Sequence, residues 1–261
     1  MSESLEPLPA LVAFDLDDTL APSKSPLDRR MAGLLGRLLT VVPVCIISGG
    51  HFEQFRTQVV HRLGELPAEA LERLHLMPTC GTQYYRYAGG DWARVYSEDL
   101  TPAERERALT ALEECARELG LWEERSWGPV LEDRGSQITF SALGQAAPVE
   151  AKRAWDPTGE KKDVLRQAVA ARLPELEVRS GGSTSVDVTR RGIDKAYGMR
   201  RLSELTGLLL EDVLFLGDRL DPAGNDYPVL ALGVRCRAVD GWEDTADYLE
   251  TLIPAIDRAL L

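Results

Sequence analysis

Three carboxylates follow one short apolar segment near the start of the chain, in the stretch LVAFDLDDTL. Asp15, Asp17 and Asp18 come directly after four apolar residues that are typical of a buried strand. Like charges this close repel one another, and none can remain unpaired in a dry core. Because clustered carboxylates without histidine or cysteine suit a hard cation, the pattern predicts a Mg²⁺ site.

Two later apolar segments also end in polar residues. VVPVCIISGG runs into Ser48 and DVLFLGD ends in Asp218, while Lys195 opens the predicted helix before the latter. In open α/β sheets the ligand crevice lies beyond the carboxyl ends of the strands, so these side chains are expected to converge. One carboxylate could then attack phosphorus, and a second, two residues further on, could move the proton. Ser48 and Lys195 would hold the phosphoryl oxygens.

The secondary-structure pattern predicted from the sequence changes twice along the chain, and it decides where these residues lie in the fold. Apolar segments and helical spacings alternate at both ends, which favours a parallel sheet with helices on its faces. Between them, the hairpin-like YYRYAGGDWARVYS, a helix opened by Thr101 and the alternating SQITFSA and GGSTSVDV indicate an α+β insert. We therefore predict an α/β fold: a doubly wound core of residues 1–86 and 190–261, with an α+β insert at 87–189.

Three finer predictions concern the ends of elements. Ser25-Pro26 has the form of a helix N-cap followed by a first-turn proline, so we expect the first helix to begin there. VLALGVRC is apolar and is predicted to be a fourth core strand. The Gly-Gly hairpin near residue 90 is expected to belong to the insert.

Charge and composition exclude several classes of partner. The 261-residue chain carries a net charge of −12, which disfavours nucleic acid and anionic membranes because both need a basic surface. No apolar run approaches the ~20 residues of a membrane helix. The four cysteines are widely separated and form no CxxC pair, as in reduced proteins of the cytoplasm, where we expect this chain to work.

Four motifs in order resemble those of the haloacid dehalogenase superfamily. They are DLDDT, IISGG, the lysine of GIDK, and GDRLDPAGND, and the insert resembles the class IIB cap of that superfamily. The stretches GGSTSVDVTRRGIDK and GDRLDPAGND are more narrowly similar to eukaryotic-type phosphomannomutases. The resemblance implies phosphoryl transfer on a sugar phosphate through an aspartyl-phosphate, with Mg²⁺ as cofactor and a homodimer formed through the cap.

The resemblance also implies a role for each matching residue. Asp15 would be the nucleophile, Asp17 the general acid and base, and Ser48 and Lys195 the phosphate holders. Mg²⁺ would be held by Asp15, the Asp17 carbonyl and Asp218, supported by Asn225 and Asp226. The substrate would be bound by Lys24, Gly49, Arg134, Lys152, Ser185 and Asp187.

Departures from the family pattern bear on the reaction. Asp18 stands at a glycine position, Lys24 and Lys152 stand at arginine positions, and Gln145 replaces a phosphate-binding arginine. Lysine does not grip phosphate as a fork and glutamine carries no charge, so the cap is expected to hold a second phosphate weakly. This favours a sugar-phosphate phosphatase. The alternatives are a phosphomannomutase, which interconverts mannose 1-phosphate and mannose 6-phosphate, and a catalytically silent sugar-phosphate binding module.

Overall fold

The computed structural model describes residues 7–181 and 183–260 of the chain. Two compact units account for it: a first unit of Met1–Tyr96 with Asp194–Leu261, and a second unit of Ser97–Ile193. The chain therefore leaves the first unit once and returns to it once, as expected for an inserted domain.

The elements alternate between strands and helices at both ends of the chain. The strands are β1 Leu11–Phe14, β2 Val44–Ile47, β3 Leu74–Met77, β4 Gln83–Ala88, β5 Asp91–Ser97, β6 Leu131–Asp133, β7 Gln137–Ser141, β8 Leu176–Ser180, β9 Ser185–Arg190, β10 Val213–Gly217 and β11 Arg235–Ala238. The helices are α1 Arg29–Val41, α2 Phe52–Gln58, α3 Ala68–Leu71, α4 Pro102–Glu118, α5 Val149–Trp155, α6 Glu160–Arg172, α7 Lys195–Thr206, α8 Tyr227–Ala231 and α9 Trp242–Ala259. Within the described ranges, none of these helices has the length and apolar character needed to cross a membrane.

The sheet of the first unit has the strand order β11-β10-β1-β2-β3-β4-β5. The pairs from β11 to β3 are parallel, and Phe14 at the end of β1 lies opposite Leu216 of β10 and Ile46 of β2. Strands β1, β2 and β10 are buried along their whole length, as expected for a parallel sheet covered by helices on both faces. The predicted α/β fold class is thereby confirmed.

The Gly-Gly hairpin belongs to this sheet and not to the insert, where we expected it. β4 pairs antiparallel with β3, and β5 follows at the sheet edge. Aromatic packing explains the placement: Tyr85 stacks on Phe52 with ring centroids 3.7 Å apart, and Tyr84 lies 5.8 Å from Tyr96. The units accordingly divide after Tyr96 and after Ile193, whereas we expected the divisions after residues 86 and 189.

The sheet of the second unit has the order β6-β7-β9-β8, and its strands pair antiparallel. Ile138, Phe140, Val186 and Val188 alternate onto one face, where they pack with residues of α4 and α6. The predicted capping box is present at the start of α4: the Glu104 N–H donates to Thr101 Oγ1, and the Glu104 carboxylate accepts from the Thr101 N–H.

Two predicted element ends were wrong. Helix α1 begins at Arg29, because the side chain of Asp28 accepts the Arg30 N–H at 2.8 Å and caps the helix in place of Ser25. The stretch VLALGVRC is not one strand: Pro228 sits in the first turn of the short helix α8, the left-handed Gly233 follows it, and β11 begins only at Arg235.

Candidate functional site

The polar residues that follow β1, β2 and β10 lie at one edge of the first unit's sheet. Asp15 comes directly after β1, and its N–H donates to Leu216 O at 3.0 Å. Ser48 comes directly after β2 and donates through its N–H to Met77 O at 3.3 Å. Asp218 comes directly after β10. Because β1 pairs in parallel with both neighbours, these residues end adjacent strands, as the sequence predicted.

Lys195 enters this edge from the first position of α7. The helix is capped by Asp194, whose carboxylate accepts the Tyr197 N–H at 2.8 Å. The side chain of Lys195 is fully buried, and its Nζ lies 2.6 Å from Asp15 Oδ1 and 2.5 Å from Asp226 Oδ1. Burial disfavours the ammonium, but the carboxylates of Asp15 and Asp226 outweigh that effect and raise the pKa of Lys195.

Asp15, Asp218 and Asp226 form a carboxylate cluster around this lysine. Each offers one carboxylate oxygen, and these oxygens lie within 4.8 Å of one another. Burial raises the pKa of Asp15 well above its ordinary value while Lys195 opposes the shift, and burial together with Asp226 raises the pKa of Asp218. A single lysine does not compensate three carboxylates, so the cluster favours a further cation.

The donor set fits Mg²⁺. Carboxylate oxygens are the hard ligands that this ion prefers, and the cluster contains neither histidine nor cysteine. Asp226 is the least available of the three, because its Oδ1 faces Lys195 and its Oδ2 accepts the Arg219 N–H at 3.0 Å. Asp15 and Asp218 are therefore the better candidates for direct ligands, and the side chain of Asn225 is exposed.

Asp17 is partly buried and is surrounded by donors. Its Oδ1 accepts the Lys24 N–H at 2.6 Å and lies 3.4 Å from Gln58 Nε2, while its Oδ2 lies 3.4 Å from Gln54 Nε2. Both glutamines belong to α2, one turn apart. Donors to both carboxylate oxygens fix the orientation of the Asp17 side chain.

Asp18 and Lys24 bound the turn that follows, and both have left-handed backbone angles. The φ values are 61° for Asp18 and 57° for Lys24. Glycine adopts this conformation without strain, which explains why a glycine suits the position of Asp18. The Asp18 carboxylate accepts the Ser23 N–H at 3.1 Å and so closes the turn. Lys24 is exposed, and its backbone rather than its side chain supplies the donor to Asp17.

The turn after β2 is held by a strained neighbouring segment. Ser48 is buried and Gly49 partly buried, and Ser48 Oγ accepts the Gly50 N–H at 3.4 Å. The Cys80 N–H donates to Ser48 O at 3.0 Å, and the Thr79 N–H donates to Gly50 O at 3.0 Å. Thr79, Cys80 and Gly81 have φ values of 49°, 55° and 85°, so three consecutive residues are left-handed beside the turn.

In the second unit, the predicted substrate residues all have protein partners. Arg134 Nη2 lies 2.6 Å from Glu132 Oε2, and both side chains are largely buried. Ser185 Oγ lies 3.1 Å from Ser141 Oγ, and Asp187 Oδ1 accepts from Thr139 Oγ1 at 2.7 Å.

Gln145 and Lys152 continue that polar set. Gln145 Nε2 donates to Ser141 Oγ at 2.7 Å, and Lys152 Nζ donates to Gln145 O at 2.8 Å. The polar side of this sheet is thus a linked set of hydroxyl and amide groups, with its described cations already paired.

The structure brings together Asp15, Lys195, Asp218 and Asp226, and it places Asp17 and Ser48 at the ends of the same adjacent strands. Three contacting residues were missed by sequence reasoning: Gln54, Gln58 and Thr19, whose Oγ1 lies 3.4 Å from Asp218 Oδ1. The i, i+4 spacing of the two glutamines was an available signal, because such residues share one face of a helix.

Comparisons with known proteins agree with the motifs. Residues 115–254 match the family model described as eukaryotic phosphomannomutase. The chain is 23% identical to phosphomannomutase 1 of Homo sapiens over 230 residues, covering 85% of this chain and 83% of that protein. It is 24% identical to a probable phosphomannomutase of Caenorhabditis elegans over 259 residues, covering 95% and 96%.

A solved structure carries the same fold. It is a haloacid dehalogenase-like hydrolase from Bacteroides thetaiotaomicron, with a TM-score of 0.61 and 16% identity, covering 94% of this chain and 99% of that one. The chain is accordingly an enzyme of the phosphatase and phosphotransferase type with a haloacid dehalogenase-like fold, and it belongs to the eukaryotic phosphomannomutase family.

Proposed function

We propose that this enzyme transfers the phosphoryl group of a hexose phosphate to Asp15 and then to water, with Mg²⁺ as cofactor. The observation that carries the proposal is the contact of Lys195 with both Asp15 and Asp226 beside Asp218. A buried carboxylate held by an ammonium at a strand end supports the assignment of Asp15 as the nucleophile.

In the first step, an Asp15 carboxylate oxygen bonds to phosphorus and the bond between phosphorus and the sugar oxygen breaks. Asp17 gives its proton to the departing oxygen, which leaves as the sugar hydroxyl. In the second step, Asp17 takes a proton from water as the water oxygen bonds to phosphorus. The bond to Asp15 then breaks, which frees inorganic phosphate, restores the Asp15 carboxylate and leaves Asp17 protonated for the next turnover.

Two groups would stabilise the charge on the transferring phosphoryl group. Lys195 is a fixed cation next to Asp15, and Ser48 offers a hydroxyl at the end of the adjacent strand. Mg²⁺ held by Asp15, the Asp17 carbonyl and Asp218 would neutralise phosphoryl charge when bound, with Asp226 and Asn225 in support.

We propose that sugar and distal groups are recognised by Lys24 and Gly49 of the first unit and by Arg134, Lys152, Ser185 and Asp187 of the second. The second unit offers hydroxyl, amide and carboxylate groups suited to sugar hydroxyls. The charge of Arg134 is already opposed by Glu132 at 2.6 Å.

This balance of charge supports hydrolysis over isomerisation. A mutase passes through a sugar bisphosphate and needs a strong site for the second phosphate, whereas a phosphatase acting on a monophosphate does not. Gln145 donates to a serine hydroxyl, and the nearby Lys152 is engaged by a backbone carbonyl. Phosphomannomutase activity is the second candidate, and the family match over residues 115–254 favours it.

One assay separates the two candidates. The enzyme is incubated with mannose 1-phosphate, mannose 6-phosphate and other hexose phosphates, with and without a hexose 1,6-bisphosphate. Inorganic phosphate and sugar phosphate isomers are measured together, with Asp15→Asn as the control. Phosphate release that depends on Asp15 supports the phosphatase, whereas isomer formation without net phosphate release would establish the mutase.

A further inference from the structure

We propose that Gln58 is a positioning residue that holds the Asp17 carboxylate in its proton-donating orientation and ties it to the segment that bears Lys24. This inference rests on the proposed function, because it assigns to Asp17 the proton transfer described above. It concerns a residue outside the carboxylate cluster, which is proposed to act on the reaction through Asp17.

Gln58 ends α2 and is anchored on both its side chain and its backbone. Its Nε2 donates to Ser25 O at 3.0 Å and lies 3.4 Å from Asp17 Oδ1. Its own carbonyl accepts the Leu27 N–H at 2.9 Å. A single residue thus contacts Asp17 and fixes the chain on the far side of Lys24, whose N–H donates to the same Asp17 oxygen at 2.6 Å.

The amide orientation of Gln58 is set by these acceptors and leaves one of its own atoms unsatisfied. Asp17 Oδ1 and Ser25 O are both acceptors, so the NH₂ group must face them. Gln58 is 3% exposed, and its Oε1 finds no hydrogen-bond partner among the residues that the structure describes. A buried acceptor without a partner lowers stability, so this glutamine is poorly explained as a residue of the core.

Gln54 supports the same carboxylate from the preceding turn. Its Nε2 lies 3.4 Å from Asp17 Oδ2, so the two glutamines approach the two oxygens separately. Gln54 is partly exposed, whereas Gln58 is buried and also donates to Ser25 O. We therefore expect Gln58 to have the larger effect.

The test uses the leaving group as its readout, because a poor leaving group needs the proton from Asp17 and a good one does not. Gln58→Met keeps the length of the side chain and removes the amide. For a hexose phosphate, kcat is expected to fall roughly 100-fold with KM within about threefold, since a general acid contributes about 10²–10⁴ in rate. The burst of p-nitrophenol from p-nitrophenyl phosphate, which reports phosphorylation of Asp15, is expected to change less than about threefold.

Gln54→Met is also expected to lower kcat for a hexose phosphate more than it changes the p-nitrophenol burst, but by a smaller factor than Gln58→Met. Thr57→Met is the control. Thr57 lies on the exposed side of the same helix, where its Oγ1 bonds to backbone carbonyls of its own turn. The melting temperature of Gln58→Met is expected to equal or exceed that of the wild type. Equal losses for both leaving groups, no loss, or an unfolded Gln58→Met protein would overturn the inference. A wild-type enzyme that releases no phosphate from any hexose phosphate would instead refute the proposed function.

Discussion

Gly198 of α7 lies against the backbone of Cys80 so closely that a Cβ added to Gly198 would stand 2.8 Å from the Cys80 carbonyl oxygen. The approach is mutual, because a Cβ on Gly81 would stand 2.5 Å from the Gly198 Cα. The strained segment that supports the Ser48 turn is thus packed directly on the helix that begins with Lys195. Two side chains of the site are positioned by one backbone contact.

Gly198→Ala is therefore expected to destabilise the protein by about 1–3 kcal/mol, the usual cost of overpacking a tight contact. The shift of α7 would also displace Lys195, so turnover falls as well. Urea unfolding and the phosphate-release assay measure the two effects. Gly33→Ala in α1 is the matched control, because nothing lies within 4 Å of a Cβ added there. Alanine at this helical position should raise the free energy of unfolding by about 0.5–1 kcal/mol. Equal stability of the two variants would contradict the packing described.

Asp226→Asn is expected to cost about 1.5–3 kcal/mol of stability, the range for a hydrogen bond to a charged group. Asp226 accepts from Lys195 Nζ with one oxygen and from the Arg219 N–H with the other. Asparagine has one oxygen, so one of the two donors loses its acceptor whichever way the amide turns. Asp221→Asn, on the exposed loop of the same region, should change stability by less than about 0.5 kcal/mol. Denaturant titration of both variants checks the difference.

Mg²⁺ is expected to raise the melting temperature of the wild-type protein, because a ligand that binds only the folded state stabilises it by about 2.7 kcal/mol at 100 times its dissociation constant. Asp218→Asn removes the charge and one oxygen of a proposed ligand, so the rise should be much smaller. Asp221→Asn should keep the rise. Excess chelator should abolish turnover. A wild-type melting temperature that is indifferent to Mg²⁺, or activity that persists in excess chelator, would refute the metal assignment.

The buried His75 is expected to make the protein less stable in acid. It lies in β3 with its Nδ1 2.8 Å from the Tyr84 hydroxyl, and burial, aided by Arg86, lowers the pKa of His75 to about 3. Between pH 6.5 and about 3 the unfolded chain binds a proton there that the native protein does not. Stability therefore falls as pH falls through this window, by about 1.4 kcal/mol per pH unit from this residue alone.

Urea titrations at pH 7 and pH 5 measure that slope. His75→Asn keeps a side-chain amide beside Tyr84 but cannot take up the proton, so its stability should fall by about 2 kcal/mol less than that of the wild type over this interval. Parallel changes in the two proteins would show that His75 does not contribute.

The residues at the strand ends were predictable because a buried strand has a recognisable sequence pattern. A parallel strand covered on both faces is an apolar run, and the first polar residue after it marks the edge where ligands bind. Asp15, Ser48 and Asp218 were found in this way. Lys195 was found only through the order of motifs, because a lone lysine at a helix start carries no such mark.

Other features depend on tertiary contacts that local patterns do not contain. The hairpin of β4 and β5 joins the larger sheet because Tyr85 stacks on Phe52, which lies over 30 residues earlier in the chain. The left-handed turn at Thr79–Gly81 is held by the backbone around Ser48 and by Gly198. The contacts of Gln58 with Asp17 and Ser25 likewise cross between elements, so neither residue type nor spacing alone specifies them.

The pairing of β1 with β10 also makes the proposed site depend on residues that are synthesised late. Leu11 lies opposite Val213, so the strand that precedes Asp15 cannot pair with β10 until about 200 further residues have been synthesised. Lys195, Asp218 and Asp226 are also translated after the whole second unit. A ribosome-bound chain that has emerged only as far as Ile193 has Asp15, the proposed nucleophile, but neither the lysine nor the carboxylates that surround it. The proposed site can therefore assemble only after β10 and Asp226 have been translated.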